Sequence, residues 1–446
     1  MIPISSRVPD PAARRLTATL YGYAFLSDLV LLYPLYVVFF AGTGLSVGQI
    51  ASLFVIWSAA GILFEVPSGA WADVVSRRLL LCLAPLVTAA GFALWVLVPS
   101  YPAFAVGFLL WGAGGALVSG ALEALVWTEL DRLGVVGRYA RVLGRARTAG
   151  VLGVVLSGVL AGPVLAAGGY PAVGAASVLA CLLASIVATR LPEHRTPAVA
   201  PVPVAESAMA ARSVGAAPSR PDDPDTVPPA NPHDDGDLGW WDTLRAGVEQ
   251  VRTRPPVRAA VLLVAVVAAD WGALDEYTPL LALDTGVGAQ AVPLLLLLLW
   301  AGVTVGGLLA PAGERLGSRG YAALLGLVGV ALAGGALLRH PAGFVLLAVA
   351  FGAAQLATVL ADARLQARII GTSRATVTSL AGMATDVLII VTYAGYGLLA
   401  TAAGNAVAFA LAAGAYLVVA LVLLTRRRRG AAVATGNTAS VVRGSG

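Results

Sequence analysis

Charge is scarce in this sequence. Asp, Glu, Lys and Arg make up 12% of its 446 residues, about half the share of an ordinary soluble domain. Lysine is absent altogether, so all 29 basic residues are arginine. The base composition of the coding sequence accounts for that as readily as chemistry does. Cysteine is nearly absent too. Cys82 and Cys181 both sit in apolar runs, which excludes a disulfide framework and a metal site as expectations. The histidines, His194, His233 and His340, fall in loops, and this argues against a haem or metal centre inside a membrane. No nucleophile motif, paired metal ligands or Walker loop is present. A membrane enzyme or an ATP-driven pump is therefore not expected, and no metal or cofactor is implied. The first apolar stretch is too long for a removable signal peptide and lacks a small-residue cleavage site.

What the sequence has in abundance is apolar length. Hydrophobic residues make up 58%, and the mean hydropathy is +0.84. Runs of ~18 or more apolar residues recur, each able to cross a ~30 Å bilayer core as a helix. Barrel strands would alternate apolar and polar over ~10 residues, and runs such as VPLLLLLLWAGVTVGGLLAP do not. The fold class is all-α and polytopic. The expected spans are 16–40, 47–71, 79–98, 103–129, 142–166, 172–190, 257–283, 289–312, 321–338, 341–365, 375–399 and 404–424.

The arginines fix the orientation. They occupy the N-terminus (Arg7, Arg14, Arg15), the loop after span 2 (Arg77, Arg78) and the loop after span 4 (Arg132, Arg138, Arg141), with Arg145 and Arg147 entering span 5. They recur after span 8 (Arg315, Arg319), after span 10 (Arg368, Arg374) and in the tail, Arg426 to Arg429. The alternate loops hold Arg339 alone. Both termini are therefore expected in the cytoplasm of a multi-pass cell-membrane protein. The pI near 9.4 follows from these loops and does not imply nucleic acid.

The segment 191–256 differs. It is rich in Pro and Ala, carries Asp222, Asp223, Asp225, Asp234, Asp235 and Asp237, and lacks apolar periodicity in its first part. Disorder is expected there, followed by a short interfacial helix from Trp240. The expected organisation is a tail 1–15, a six-span bundle 16–190, a linker 191–256, a second six-span bundle 257–424 and a basic tail 425–446. The halves echo each other: Asp28 is followed by YPLY in span 1, and Asp270 by YTPLL in span 7. Paired six-helix bundles related by an axis along the membrane normal are a transporter plan.

One stretch carries a more specific pattern. GAWADVVSRR, between spans 2 and 3, resembles the major facilitator superfamily loop motif G-x-L-A-D-x-x-G-R-[KR]. Gly69, Ala72, Asp73, Arg77 and Arg78 match, while Trp71 and Ser76 depart from it. EVPSG before it, SGALEALVWTEL in span 4 and RATVTSLAGM in span 11 resemble a bacterial, drug or metabolite efflux-like branch. With the twelve spans, the resemblance covers essentially the whole chain. It implies that Asp73 latches the two halves together, with the arginines pairing acids near spans 4 and 5. Glu129 and Asp131 are the candidates, and the alternative is that these charges only set topology. Glu65 is expected to be held structurally, near Arg77 or Arg145.

Ionisable residues within spans cost several kcal/mol unless paired or facing water, so each needs a reason. The resemblance implies that spans 1, 4, 7 and 10 line a central cavity. Asp28, Glu123, Asp270 and Glu276 then become proton or substrate candidates, with Asp386 in span 11 and Gln355 in span 10 beside them. Low dielectric disfavours the charged form of a carboxylate, so such a group can load and release a proton. One left charged can bind a cation. The competing reading for Glu123 is a packing salt bridge to Arg145 or Arg147. Tyr21, Tyr33, Trp111, Trp127, Trp271, Tyr277 and Trp300 could add cation–π contacts or could form an interfacial belt.

Span 5 contains GVLAGPVLAAGG. Gly158, Gly162 and Pro163 match the superfamily's antiporter motif; Ala166 and Ala167 replace glycines, and no glycine stands nine residues before Gly158. The expected function is secondary active transport of a small molecule by alternating access in a functional monomer. Proton-coupled export of a drug-like or metabolite substrate is the leading form, with the proton gradient as energy source. Proton-coupled uptake or a uniport is the alternative. A non-transporting receptor would keep the fold without needing the acids. The several membrane acids lean the substrate toward neutral or cationic amphiphiles.

Overall fold

A computed structural model describes residues 11–194, 240–369 and 374–443. For 65–74, 240–244, 246–247, 375 and 426–443 it describes the backbone alone. The expected linker therefore lies largely outside the described residues, and so do the side chains of Glu65 and Asp73; of Gly69 only its place in the helix is described.

The described residues form helices and no strand. Nine helical stretches are long and apolar enough to cross a membrane. One of these, Val136–Ala188, holds two spans, and the shorter apolar helix Val292–Leu308 adds one more. A broken first span completes twelve. It consists of α1 (Pro11–Asp28) and α2 (Tyr36–Gly42). α3 (Val47–Val74) and α4 (Arg77–Leu97) are spans 2 and 3. Span 4 is α5 (Tyr101–Val118) followed by α6 (Ala121–Arg132). α7 (Tyr139–Ala188) holds spans 5 and 6, bent at Gly169, whose φ of 65° suits only glycine in a sharp turn.

An amphipathic α8 (Trp240–Thr253) leads into the second half. There span 7 is α9 (Pro255–Asp275) with α10 (Thr278–Asp284). Span 8 is α11 (Val292–Leu308), trailed by the one-turn α12 (Ala310–Gly313). α13 (Ser318–Leu337), α14 (Gly343–Gln366), α15 (Arg374–Ala403) and α16 (Asn405–Arg443) are spans 9 to 12.

The two halves use the same packing scheme. Span 3 packs on spans 4 and 6 in the first half, and span 9 on spans 10 and 12 in the second. Span 2 packs on span 4, and span 8 on span 10. Small residues permit these contacts in lipid, where association relies on close packing. A Cβ at Gly302 or Gly306 would stand 2.2 or 2.0 Å from the carbonyl oxygens of Ala348 and Gly352.

The halves meet through span 2 on span 11 and span 5 on span 8. The contacts that can be assigned lie toward the arginine-poor face. Gly48 sits by Thr401, Gly397 by Ala51, and Phe54 by Tyr393 at 5.2 Å between ring centroids. Beyond Trp57 and Tyr393, toward the arginine-rich face, a cleft separates the halves. The molecule is closed on the arginine-poor side and open below it.

Candidate functional site

Breaks in three spans build the site. Span 1 loses its helix at Asp28, the last residue of α1, and Pro34 lies within the gap, where no proline N–H is available. The exposed backbone is satisfied locally: the Leu32 amide donates to Ser177 Oγ of span 6 at 3.0 Å. Span 4 breaks at Ser119–Gly120. Gly120 has a φ of 73°, and Glu123 falls in the first turn of α6, where a carboxylate suits the helix dipole. Span 7 ends its first helix at Asp275 and restarts at Thr278 with Pro279 behind it, leaving Glu276 in the gap.

Span 7 is also opened one turn earlier. The Tyr416 hydroxyl of span 12 accepts from the Trp271 amide at 3.0 Å and donates to the Val267 carbonyl at 3.1 Å. These two groups would otherwise bond each other in the helix ladder, so the tyrosine is inserted between them. Asp270 lies beside this opening. It is buried, and its Oδ2 has no hydrogen-bond partner.

The acids collect in two clefts. The first, about 390 Å³, lies within the first half and is lined by Asp28, Glu123, Arg147, Tyr33, Trp111 and neighbours. The second, about 500 Å³, lies between the halves and is lined by Glu276, Asp386, Ser58, Trp57 and Trp111 among others. Trp111 and Gly115 border both, so the clefts adjoin. Trp111 stacks on Tyr33 at 5.3 Å and on Trp57 at 4.8 Å, and Tyr36 stands edge-on to it at 5.9 Å. The Tyr36 hydroxyl in turn donates to Glu276 across the two halves. An aromatic wall with carboxylates on both sides is suited to hold a flat or cationic group.

The remaining candidates are spread more widely. Asp270 and Gln355 line neither cleft. No ion pair within 4 Å joins Glu123 to Arg145 or Arg147, although Glu123 and Arg147 share the first cleft. Of the aromatics, Trp271 donates to Thr358 on span 10 at 3.2 Å, and Tyr277 stacks on Tyr396 at 3.8 Å. Trp127 is half exposed against Tyr139, and Tyr21 lies in a small cleft with Arg138, Arg141 and Arg145.

Span 5 uses its glycines on two faces. A Cβ at Gly150 would lie 2.2 Å from Asp28 Oδ2, so this glycine seats span 5 on the acid. Gly158 and Gly162 face the other half, where a Cβ would approach Leu297 at 2.9 Å and the Gln290 carbonyl at 2.4 Å. Pro163 follows within the same helix.

At the arginine-rich face, the pairing differs from the sequence expectation. Glu129 is buried and bonds Arg132 Nε at 3.1 Å, the His194 amide at 2.7 Å and His194 Nδ1 at 3.0 Å. It does not pair Arg77 or Arg78. Arg77 instead donates to the Ala124 carbonyl at 3.2 Å and to Thr128 Oγ1 at 3.0 Å. The reason is geometric. Arg77 begins a helix whose amide is already capped by Glu193 at 2.8 Å, and Ser76 donates to the same carboxylate. Its side chain is thereby directed at the turn above Glu129. Asp131 takes part in neither of these ion pairs. Glu193 and His194 thus fasten the end of span 6 to spans 3 and 4. Sequence reasoning passed over both as loop residues.

Two comparisons with known proteins bear on this arrangement. The family model described as Major Facilitator Superfamily matches residues 18–312, well over half of the chain. The chain belongs to the major facilitator superfamily. Solved transporters of this architecture agree in fold. The nucleoside transporter NupG has a TM-score of 0.69 at 12% identity, over 92% of this chain and 98% of its own. A bacterial homologue of the human lysosomal transporter Spinster, inward-facing and unoccupied, gives 0.62 at 14% over 94% and 96%. A D-xylose–proton symporter gives 0.59 at 16% over 92% and 96%. Among curated proteins, none matches the chain by sequence. The protein is a multi-pass membrane transporter and not an enzyme. It has the superfamily's twelve helices in two six-helix bundles.

Proposed function

We propose that this superfamily member exports a small, flat, neutral or cationic amphiphile in exchange for protons. The observation carrying this reading is the meeting of two clefts at Trp111, with Asp28 and Glu123 on one side and Glu276 and Asp386 on the other. The substrate lies against Trp111, Tyr33 and Trp57. The carboxylates alternate between balancing its charge and carrying protons. Competition for the same acids makes the exchange obligatory: a protonated acid releases a cation, and a bound cation displaces the proton.

Contacts on one side of the site and a cleft on the other support alternating access. The halves rock about the site while the contacts of span 2 with span 11 and of span 5 with span 8 open and close. The likeness of Gly158, Gly162 and Pro163 to the superfamily's antiporter motif supports export over uptake. The arginine asymmetry supports a cytoplasmic position for the open side and for both termini.

The test is accumulation of cationic dyes and antibiotics in a host stripped of its own efflux pumps, with and without a protonophore. Export predicts reduced accumulation that the protonophore reverses and that Glu276→Gln abolishes at equal expression. Raised accumulation that the protonophore blocks would instead assign proton-coupled uptake.

A further inference from the structure

At the arginine-rich end of the second half, α9, α13, α14 and α16 leave a groove of about 590 Å³. Its walls are aliphatic, and Leu262, Val418 and Val422 are exposed along it. On a membrane protein this end of the helices lies against lipid. The groove is nonetheless basic at its base, where Arg364 and Arg368 line it and no acid does.

Arg364 is only partly satisfied. Its guanidinium lies 3.8 Å over the Tyr321 ring, and Nη2 donates to the Leu316 carbonyl at 3.1 Å. Nη1 is buried and has no hydrogen-bond partner. Asp362, close in sequence, is exposed and ion-pairs neither arginine. Ser318, in the first turn of α13, lines the same groove, and that helix start has no side-chain cap. Two arginines lining one groove beside an uncapped helix start call for an anion. The aliphatic walls call for hydrocarbon.

We propose that this groove binds one anionic glycerophospholipid. Its phosphate accepts from Arg368 and from the first-turn amides of α13, beside the positive charge of the Arg364 guanidinium. Its acyl chains lie along Leu262, Val418 and Val422. The acid-rich segment 222–237 of the chain carries the matching charge, but Val227, Ala230 and its prolines are too short and few to fill the aliphatic walls as acyl chains do.

The experiment is native mass spectrometry of the full chain in detergent with equal amounts of phosphatidylglycerol and phosphatidylcholine. Wild type should retain phosphatidylglycerol selectively. Arg368→Gln removes an exposed charge. Ser318→Asp adds a carboxylate where a helix start tolerates one, so both variants should stay folded and monodisperse. Each should lose one bound phosphatidylglycerol, with roughly fivefold to tenfold weaker retention at that site. Counting the change between variants matters, because the cluster of Arg14, Arg138, Arg141 and Arg145 attracts anionic lipid as well. Equal retention of the two lipids by wild type, or unchanged retention in both folded variants, overturns the proposal. Complete displacement by an equal concentration of inorganic phosphate would mark a plain anion site and overturn the lipid assignment.

Discussion

The Tyr36 hydroxyl donates to Glu276 across the two halves; Tyr36 borders the break of span 1, at the residue where the helix resumes, and Glu276 lies within the break of span 7. A bond between two breaks joins the charge state of an acid to the position of a gate. Tyr36 starts α2, which packs on α10 at the closed, arginine-poor end. Whatever Glu276 binds is therefore felt at that end.

Tyr36→Phe tests this link. A net hydrogen bond contributes about 0.5–1.5 kcal/mol, so the closed state should lose roughly twofold to tenfold in relative population. A cysteine at Thr401, beside Gly48, in a chain with Cys82 and Cys181 replaced, should react faster with an impermeant thiol reagent when Tyr36→Phe is added. Thermal stability should change little. An unchanged labelling rate would remove Tyr36 from the gate.

Gly150 should tolerate no side chain. Alanine there brings a methyl to 2.2 Å from the Asp28 carboxylate. Overpacking of this kind costs about 1–3 kcal/mol. A lower melting temperature together with reduced transport is the expected result. Gly144, with nothing within 4 Å of its Cβ position, is the control, and Gly144→Ala should behave as wild type.

Tyr416→Phe should be nearly neutral for stability and damaging for transport. Without the hydroxyl, the Trp271 amide can return to the Val267 carbonyl, so span 7 closes beside Asp270 and few groups are orphaned. The expected outcome is a melting temperature within the span of about 1 kcal/mol and a transport rate at least several-fold lower. Severe unfolding would show that the hydroxyl supports the helix rather than opening it.

Trp111→Ala should weaken substrate binding about tenfold, since the ring borders both clefts and stacks on three others, with Trp111→Phe recovering part of the loss. A binding isotherm for a cationic dye checks this. Equal affinity in all three proteins would place the substrate elsewhere.

Much of this architecture was legible in the sequence, and for a physical reason. Apolar length and arginine placement are constraints of the bilayer itself, so they appear directly in composition. Pro34 and the Ser119–Gly120 pair were visible marks of helix breaks, yet runs long enough to span conceal a break, because hydropathy does not register the backbone. Asp28, Glu123 and Glu276 were legible as costly charges. Their grouping around Trp111 was not, since it depends on which helix faces turn inward. Asp386 shares the Glu276 cleft although span 11 was not among the four spans expected to line the cavity. Tyr416, Ser177 and Glu193 carried no signal, because a hydroxyl or loop acid that bonds the backbone of a distant segment is recognisable only once the helices are in place.

The most direct measurement uses proteoliposomes loaded with a cationic dye and given a pH step. If Glu276 and Asp28 carry the exchanged proton, the step drives dye movement in wild type, and dye movement drives a counter-flow of protons. In Glu276→Gln and Asp28→Asn the dye should still bind, while the pH step no longer drives it. Dye flux that ignores the pH step in wild type, or that keeps its full response in both variants, would contradict the account.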